Sequence, residues 1–108
     1  MKGLRDAGYT FEFPANGIYN WVEWAFDAPS AGTRTLVFRY AEGADVYPSD
    51  PVDLVVNDTL VEPSNFRPTG SWSTWRGLEV TVQLRAGANR IRLSAYGKGP
   101  IVDSLMVE

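Results

Sequence analysis

Period-two alternation of apolar and polar residues runs through almost every segment of this chain, and it limits the fold more than any other feature. In "LEVTVQL" (78–84), Leu78, Val80, Val82 and Leu84 point one way, and Glu79, Thr81 and Gln83 the other. "YTFEF" (9–13), "NWVEWAFDAP" (20–29), "TRTLVFRYA" (33–41) and "RIRLSAY" (90–96) read as strands on the same ground, as does the closing "IVDSLMVE". "VDLVV" and "TLVE" flank Asn57-Asp58, two residues that tolerate positive φ, so a tight hairpin is expected there. "SAG", "RAGAN" and "GKGP" are turn signals, while "EGADVYPSDP" (42–51) and "PSNFRPTGSWS" (63–73) read as long loops. No window carries a helical stripe. Short strands punctuated by turns predict an all-β chain, an antiparallel β-sandwich of jelly-roll type with about eight to nine strands.

The length of 108 residues suits one domain, 1–108, with one core. Within "NWVEW" the alternation puts Trp21, Glu23 and Ala25 on one face and Val22, Trp24 and Phe26 on the other, with Trp24 assigned to the core. No apolar run approaches the roughly 20 residues of a membrane span. "MKGLRDAG" lacks the apolar region of a secretory signal. The net charge is −3, and Arg67, Arg76, Arg85, Arg90 and Arg92 are scattered singly, which does not make a nucleic-acid patch. Cysteine and histidine are both absent. That removes disulfides, thiolate chemistry, the commonest general base and the commonest transition-metal ligand. Glycoside hydrolysis needs two carboxylates across one cleft, and nothing in the pattern selects a pair. The chain is therefore expected not to be an enzyme.

One stretch is open to two explanations, a loop ring packed half-buried against the sandwich or a ring exposed to a ligand. "TGSWSTW" (69–75) opens with turn chemistry yet carries Trp72 and Trp75, three positions apart. Side chains three apart on a strand face opposite ways, so the two rings cannot both enter the core from a strand. A flat exposed ring beside polar groups suits a pyranose, whose C–H face packs on an aromatic while its hydroxyl rim needs hydrogen-bond partners.

The order "APSAGTRTLVFRYA", "VDLVVND", "FRPTGSWSTW", "VTVQLRAGANRIRL", "VDSLMVE" resembles carbohydrate-binding modules of family 6 and its relative family 35, over about residues 20–108. The resemblance implies a β-jelly roll that binds glycans and does no chemistry. It implies a loop site in which a tryptophan and a second aromatic hold a sugar ring. Trp72 is the favoured contact, with Trp75 at the strand start beside it. Only "PANGIYN" separates the first strand from "WVEW", where the family has a long segment, and Tyr19 is placed to supply the second ring. "YGKGPIVD" stands where the family often has an asparagine, and Lys98 would serve as the polar contact, as an acidic sugar would need. A different site would use Tyr47 and the 42–51 loop.

Many relatives hold a structural Ca²⁺, for which Glu12 and Asp103 are the nearest matches here. The resemblance further implies an oligo- or polysaccharide partner from plant cell wall or marine sources. It implies a covalently linked catalytic domain and a secreted or extracellular location; a monomer is expected, and the scattered arginines and the lack of a membrane-length apolar run leave no nucleic-acid or membrane partner expected. A structural or protein-interaction β-sandwich without sugar binding is the alternative.

Overall fold

The computed structural model describes residues 2–4, 11–12, 19–43, 52–64, 66, 69–95 and 100–108, with side chains at these positions other than 2–4, 11–12 and 62–64. The described residues form nine strands: β1 (Lys2–Leu4), β2 (Phe11–Glu12), β3 (Asn20–Ala28), β4 (Gly32–Ala41), β5 (Val52–Val56), β6 (Thr59–Ser64), β7 (Arg76–Leu84), β8 (Gly87–Ala95) and β9 (Ile101–Val107). They make two antiparallel sheets. One has the order β1-β9-β4-β7, with β2 also pairing β9; the other has the order β3-β8-β5-β6. The expected all-β sandwich is what the chain forms. No helix among the described residues is long and apolar enough to cross a membrane.

The alternation read from sequence decides what lies between the sheets. Val22, Trp24 and Phe26 of β3, Leu36 and Phe38 of β4, Leu54 of β5, Ile91 and Leu93 of β8, and Val102 and Leu105 of β9 are all buried in one cluster. Trp24 is 5% exposed while Trp21, one face over, is 51% exposed, so the assignment of the two rings to opposite faces holds. Phe38 stands at the centre, 5.8 Å from Trp24 and 6.2 Å from Phe66, ring centroid to centroid. Tilted and edge-on ring contacts of this kind add to the area buried.

Turn chemistry sets the strand ends. Asn57 and Asp58 both adopt positive φ, 51° and 66°, as a two-residue hairpin that follows the twist of its strands requires. "RAGAN" departs from the expectation of a five-residue turn. The reversal takes only Arg85 and Ala86, and β8 already begins at Gly87, whose φ is 88°. Asn89 explains the tightness. It is 1% exposed. Its side-chain amide donates to the Arg85, Gly87 and Phe26 carbonyls, and its Oδ1 accepts from the Arg85 N–H at 3.1 Å and from Asn57 Nδ2 at 2.9 Å. One buried asparagine thus clamps its own turn and ties it to the Asn57–Asp58 hairpin.

The register also shows where the long connections meet. Tyr40 pairs with Arg76, Ala41 with Ile101, Asn20 with Ala95 and Val52 with Ser64. The strand ends that bound the 42–51, 65–75 and 96–100 connections therefore share one end of the sandwich. The short turns at 57–58 and 85–86 share the other.

Candidate functional site

At the loop-rich end, β4 hands over to Glu42 and Gly43, and the chain enters β7 through Thr69–Trp75. Because β4 and β7 are neighbours, these two short stretches come together. Thr69 fastens them. Its N–H donates to the Glu42 carbonyl at 2.9 Å, and the Glu42 N–H donates to Thr69 Oγ1 at 3.1 Å. Both residues are buried, Glu42 to 1% exposure, so this exchange is shielded from competing water.

The rest of the loop is organised by its hydroxyls. Thr69 Oγ1 lies 3.0 Å from the Ser71 carbonyl, Ser71 Oγ lies 2.8 Å from Thr74 Oγ1, and the Ser73 N–H donates to Ser71 Oγ. Gly70, at φ 101°, supplies the backbone turn that a residue with a Cβ adopts at a cost. The Thr-Gly-Ser composition is thus a local hydrogen-bonded scaffold, and it carries a ring at each side.

Trp72 is half-buried, and its indole lies over Gly43. A Cβ built at Gly43 would collide with Cγ, Cδ1 and Nε1 of the ring, so glycine is what allows the ring to lie flat against the backbone. Trp75 is half-buried too, but it lies beside Arg39, whose side chain is on the exposed face of β4. The Arg39 guanidinium sits 5.1 Å from its ring centroid, a cation–π contact. Neither ring enters the core, which resolves the spacing puzzle: the pair belongs to the loop, and the strand starts only at Arg76.

Arg39 also donates to Asp103 Oδ2 at 3.3 Å. A β-bulge brings the two together. Arg39 pairs with Ser104 and Tyr40 with Val102, so Asp103 is the extra residue of β9 and its side chain is re-aimed. Trp75 and Asp103, both singled out from sequence, are therefore linked through Arg39, which sequence reasoning did not single out. Its position between Phe38 and Tyr40 in an alternating strand was the available signal that it faces outward.

Glu12 pairs with Ile101, two residues from Asp103 along β9; its side chain lies outside the described residues. Ca²⁺ takes six to eight oxygen ligands. Here the Asp103 carboxylate already faces a guanidinium, and among the described residues no three acidic side chains converge. Lys98, Tyr47 and the 44–51 segment lie outside the described residues.

Tyr19 lies just before β3, and its ring is 5.6 Å from that of Trp21 on the outward face of the four-stranded sheet. Arg92 reaches the same face. Its guanidinium lies over Trp21 at 5.8 Å and donates to Glu23 Oε2 at 3.1 Å. Hydrogen bonding to Tyr19, and then to Glu23, holds the Arg92 guanidinium above its ordinary pKa.

Comparison with known proteins bears on this architecture. Residues 7–106 match the family model described as carbohydrate binding module (family 6). The exo-β-D-glucosaminidase of Amycolatopsis orientalis is 38% identical over 109 residues, covering 92% of this chain and 10% of that protein. Endo-1,4-β-xylanase B of Cellvibrio japonicus is 39% identical over 113 residues, covering 97% of this chain and 18% of that protein. The chain thus spans a small part of the length of these curated relatives. A family 35 carbohydrate binding module from Clostridium thermocellum superimposes with a TM-score of 0.79 at 34% identity, covering 99% of this chain and 88% of that one.

Proposed function

The chain belongs to the carbohydrate-binding modules of the family 6 and family 35 type, and we propose that it binds a polysaccharide through its loop-rich end without acting on it. The observation that carries this reading is the seating of Trp72. A hydrogen-bonded Thr-Gly-Ser loop holds the ring, and Gly43 beneath it lets the indole lie against the chain. A ring fixed in this way presents a platform without losing rotamer freedom on binding, which favours affinity. Trp75, braced by Arg39, extends the aromatic surface to the neighbouring face. Polar groups of the Ser71–Thr74 turn flank the platform and suit the hydroxyl rim of a sugar.

Relatives in which this domain is a small part of a long enzyme support a further reading. The module is a targeting appendage of a secreted carbohydrate-active enzyme, joined covalently to its catalytic domain and raising that domain's concentration on the polysaccharide. Lys98, close to this end in sequence, is proposed as a polar contact, and Glu12 with Asp103 as the family's calcium ligands.

The test is depletion from solution by insoluble xylan, chitosan and cellulose, run on the native domain and on Trp72→Ala. Retention of the native domain on at least one polymer, lost in the variant, is the expected result. A folded domain that stays in solution with every polymer would favour a structural or protein-interaction sandwich.

A further inference from the structure

Among the described residues, four strand edges bound the two sheets, and they differ in what they offer a partner. One sheet ends in the short β1 and β2 on one side and in β7 on the other; the second ends in β3 and β6. β1 and β2 are three and two residues long. β6 contains Pro63, which has no N–H to donate. β3 is long, but its outward row, Trp21, Glu23, Ala25 and Asp27, carries two acids and no base. β7 spans nine residues, Arg76–Leu84, with neither proline nor bulge, and pairs with β4 alone. An edge of this kind presents a row of N–H and C=O groups to another chain.

The charges along β7 answer one another. Glu79, Thr81 and Gln83 alternate along its exposed face, and the exposed Arg85 follows one position past the strand. Set two copies antiparallel with Val82 opposite Val82. Glu79 of each copy then falls opposite Arg85 of the other, and Thr81 opposite Gln83. A shift of two residues either way sets Glu79 against Gln83 or Gly87 and loses the match. Glu79 enters no ion pair among the described residues. Arg85 donates through Nε to the Ala88 carbonyl at 2.9 Å, which steadies the side chain and leaves its two terminal nitrogens for a carboxylate.

The inward row adds apolar contact. Leu78 and Val80 pack against the core yet stay partly exposed, and this register sets Val80 opposite Leu84. Between β7 and the β5–β6 hairpin lies an open cleft of about 580 Å³, with Val56, Val61, Val82 and Leu84 on its walls. Val61 is 36% exposed there. A two-fold axis perpendicular to the sheet keeps both β6 strands on one side, so each cleft faces the other copy. From these relationships we propose that a second copy of this chain docks on the β7 edge, making a two-fold dimer with one sheet continuous across both copies, in place of the monomer expected from sequence. The charge match selects a second copy over a different protein, because the acid and the base of one strand satisfy each other across the axis. The strands run antiparallel, so the two Trp72 loops fall at opposite ends of the dimer.

The test is analytical ultracentrifugation of the native domain, of Glu79→Arg and of Arg85→Glu, each alone and the two variants mixed in equal amounts. Circular dichroism checks that each is folded. The expected mass of the native domain rises from the 12.0 kDa monomer toward twice that value as concentration climbs. Each variant alone associates at least about tenfold more weakly, since two opposite-charge pairs become two like-charge pairs. The mixture regains association, because the acids of one variant meet the bases of the other at both positions. A native domain that stays monomeric up to about 1 mM overturns the proposal. So does association that neither substitution weakens, or that mixing fails to restore.

Discussion

The indole of Trp72 rests on the backbone of Gly43, so closely that any Cβ at position 43 would fall among the ring's own atoms. Gly43→Ala must therefore displace the ring or the backbone beneath it. We expect glycan affinity to fall at least about tenfold, near 1.4 kcal/mol, while the domain stays folded, because the contact lies outside the core. Acrylamide quenching checks the displacement directly: the variant's tryptophan emission becomes more accessible than the native domain's.

Asn89 holds the end of the sandwich remote from the loops. Its replacement by alanine would strip partners from the Arg85 N–H and from the Phe26, Arg85 and Gly87 carbonyls at a buried position. Each buried polar group left unsatisfied costs about 1–3 kcal/mol, so a loss of roughly 2–4 kcal/mol is expected. Urea unfolding of the variant reads it as a lower midpoint with an unchanged slope.

Phe38 is fully buried and touches both Trp24 and Phe66. Phe38→Ala should cost about 3–5 kcal/mol through lost transfer energy and the cavity left behind. Calorimetry should show a correspondingly lower melting temperature. Trp21→Ala, on an exposed face, should stay within about 1 kcal/mol of the native domain.

Arg92 sets an expectation for pH. Its folded-state pKa is raised, first by Tyr19 and then by Glu23. A raised value means that its contribution is complete below arginine's ordinary pKa and is lost only as pH climbs through the raised one. Arg92 should add no slope to stability in the neutral range. Its side chain is 30% exposed and that of Glu23 31%, so solvent screens the pair and its worth is about 0–1 kcal/mol. Melting the native domain and Arg92→Gln between about pH 7 and about pH 9 should give a small, constant difference.

Much of this architecture was legible in the residues alone. Alternation assigned Trp24 inward and Trp21 outward, and Asn57-Asp58 announced their hairpin, because strand faces and turn conformations are set by neighbours in sequence. The turn after β7 was read too long, since the clamp by Asn89 closes over carbonyls on both sides of it and on β3. The oddity of Trp72 in a Thr-Gly-Ser loop was visible, but its seat was not. Gly43, Thr69 and Glu42 meet only because β4 and β7 pair, and that pairing is non-local. Arg39 was overlooked for the same reason: its partners Trp75 and Asp103 arrive from other strands, one of them through a bulge that sequence does not announce.

The most direct test of the central claim is tryptophan fluorescence of the native domain and of Trp72→Ala. Both are titrated with xylan, galactan, glucan, uronic-acid and agarose oligosaccharides. A saturable change in the native domain, abolished or weakened at least about tenfold in the variant, is the predicted result. An equal response from both proteins, or none from a folded native domain across the whole panel, would contradict a sugar site built on Trp72.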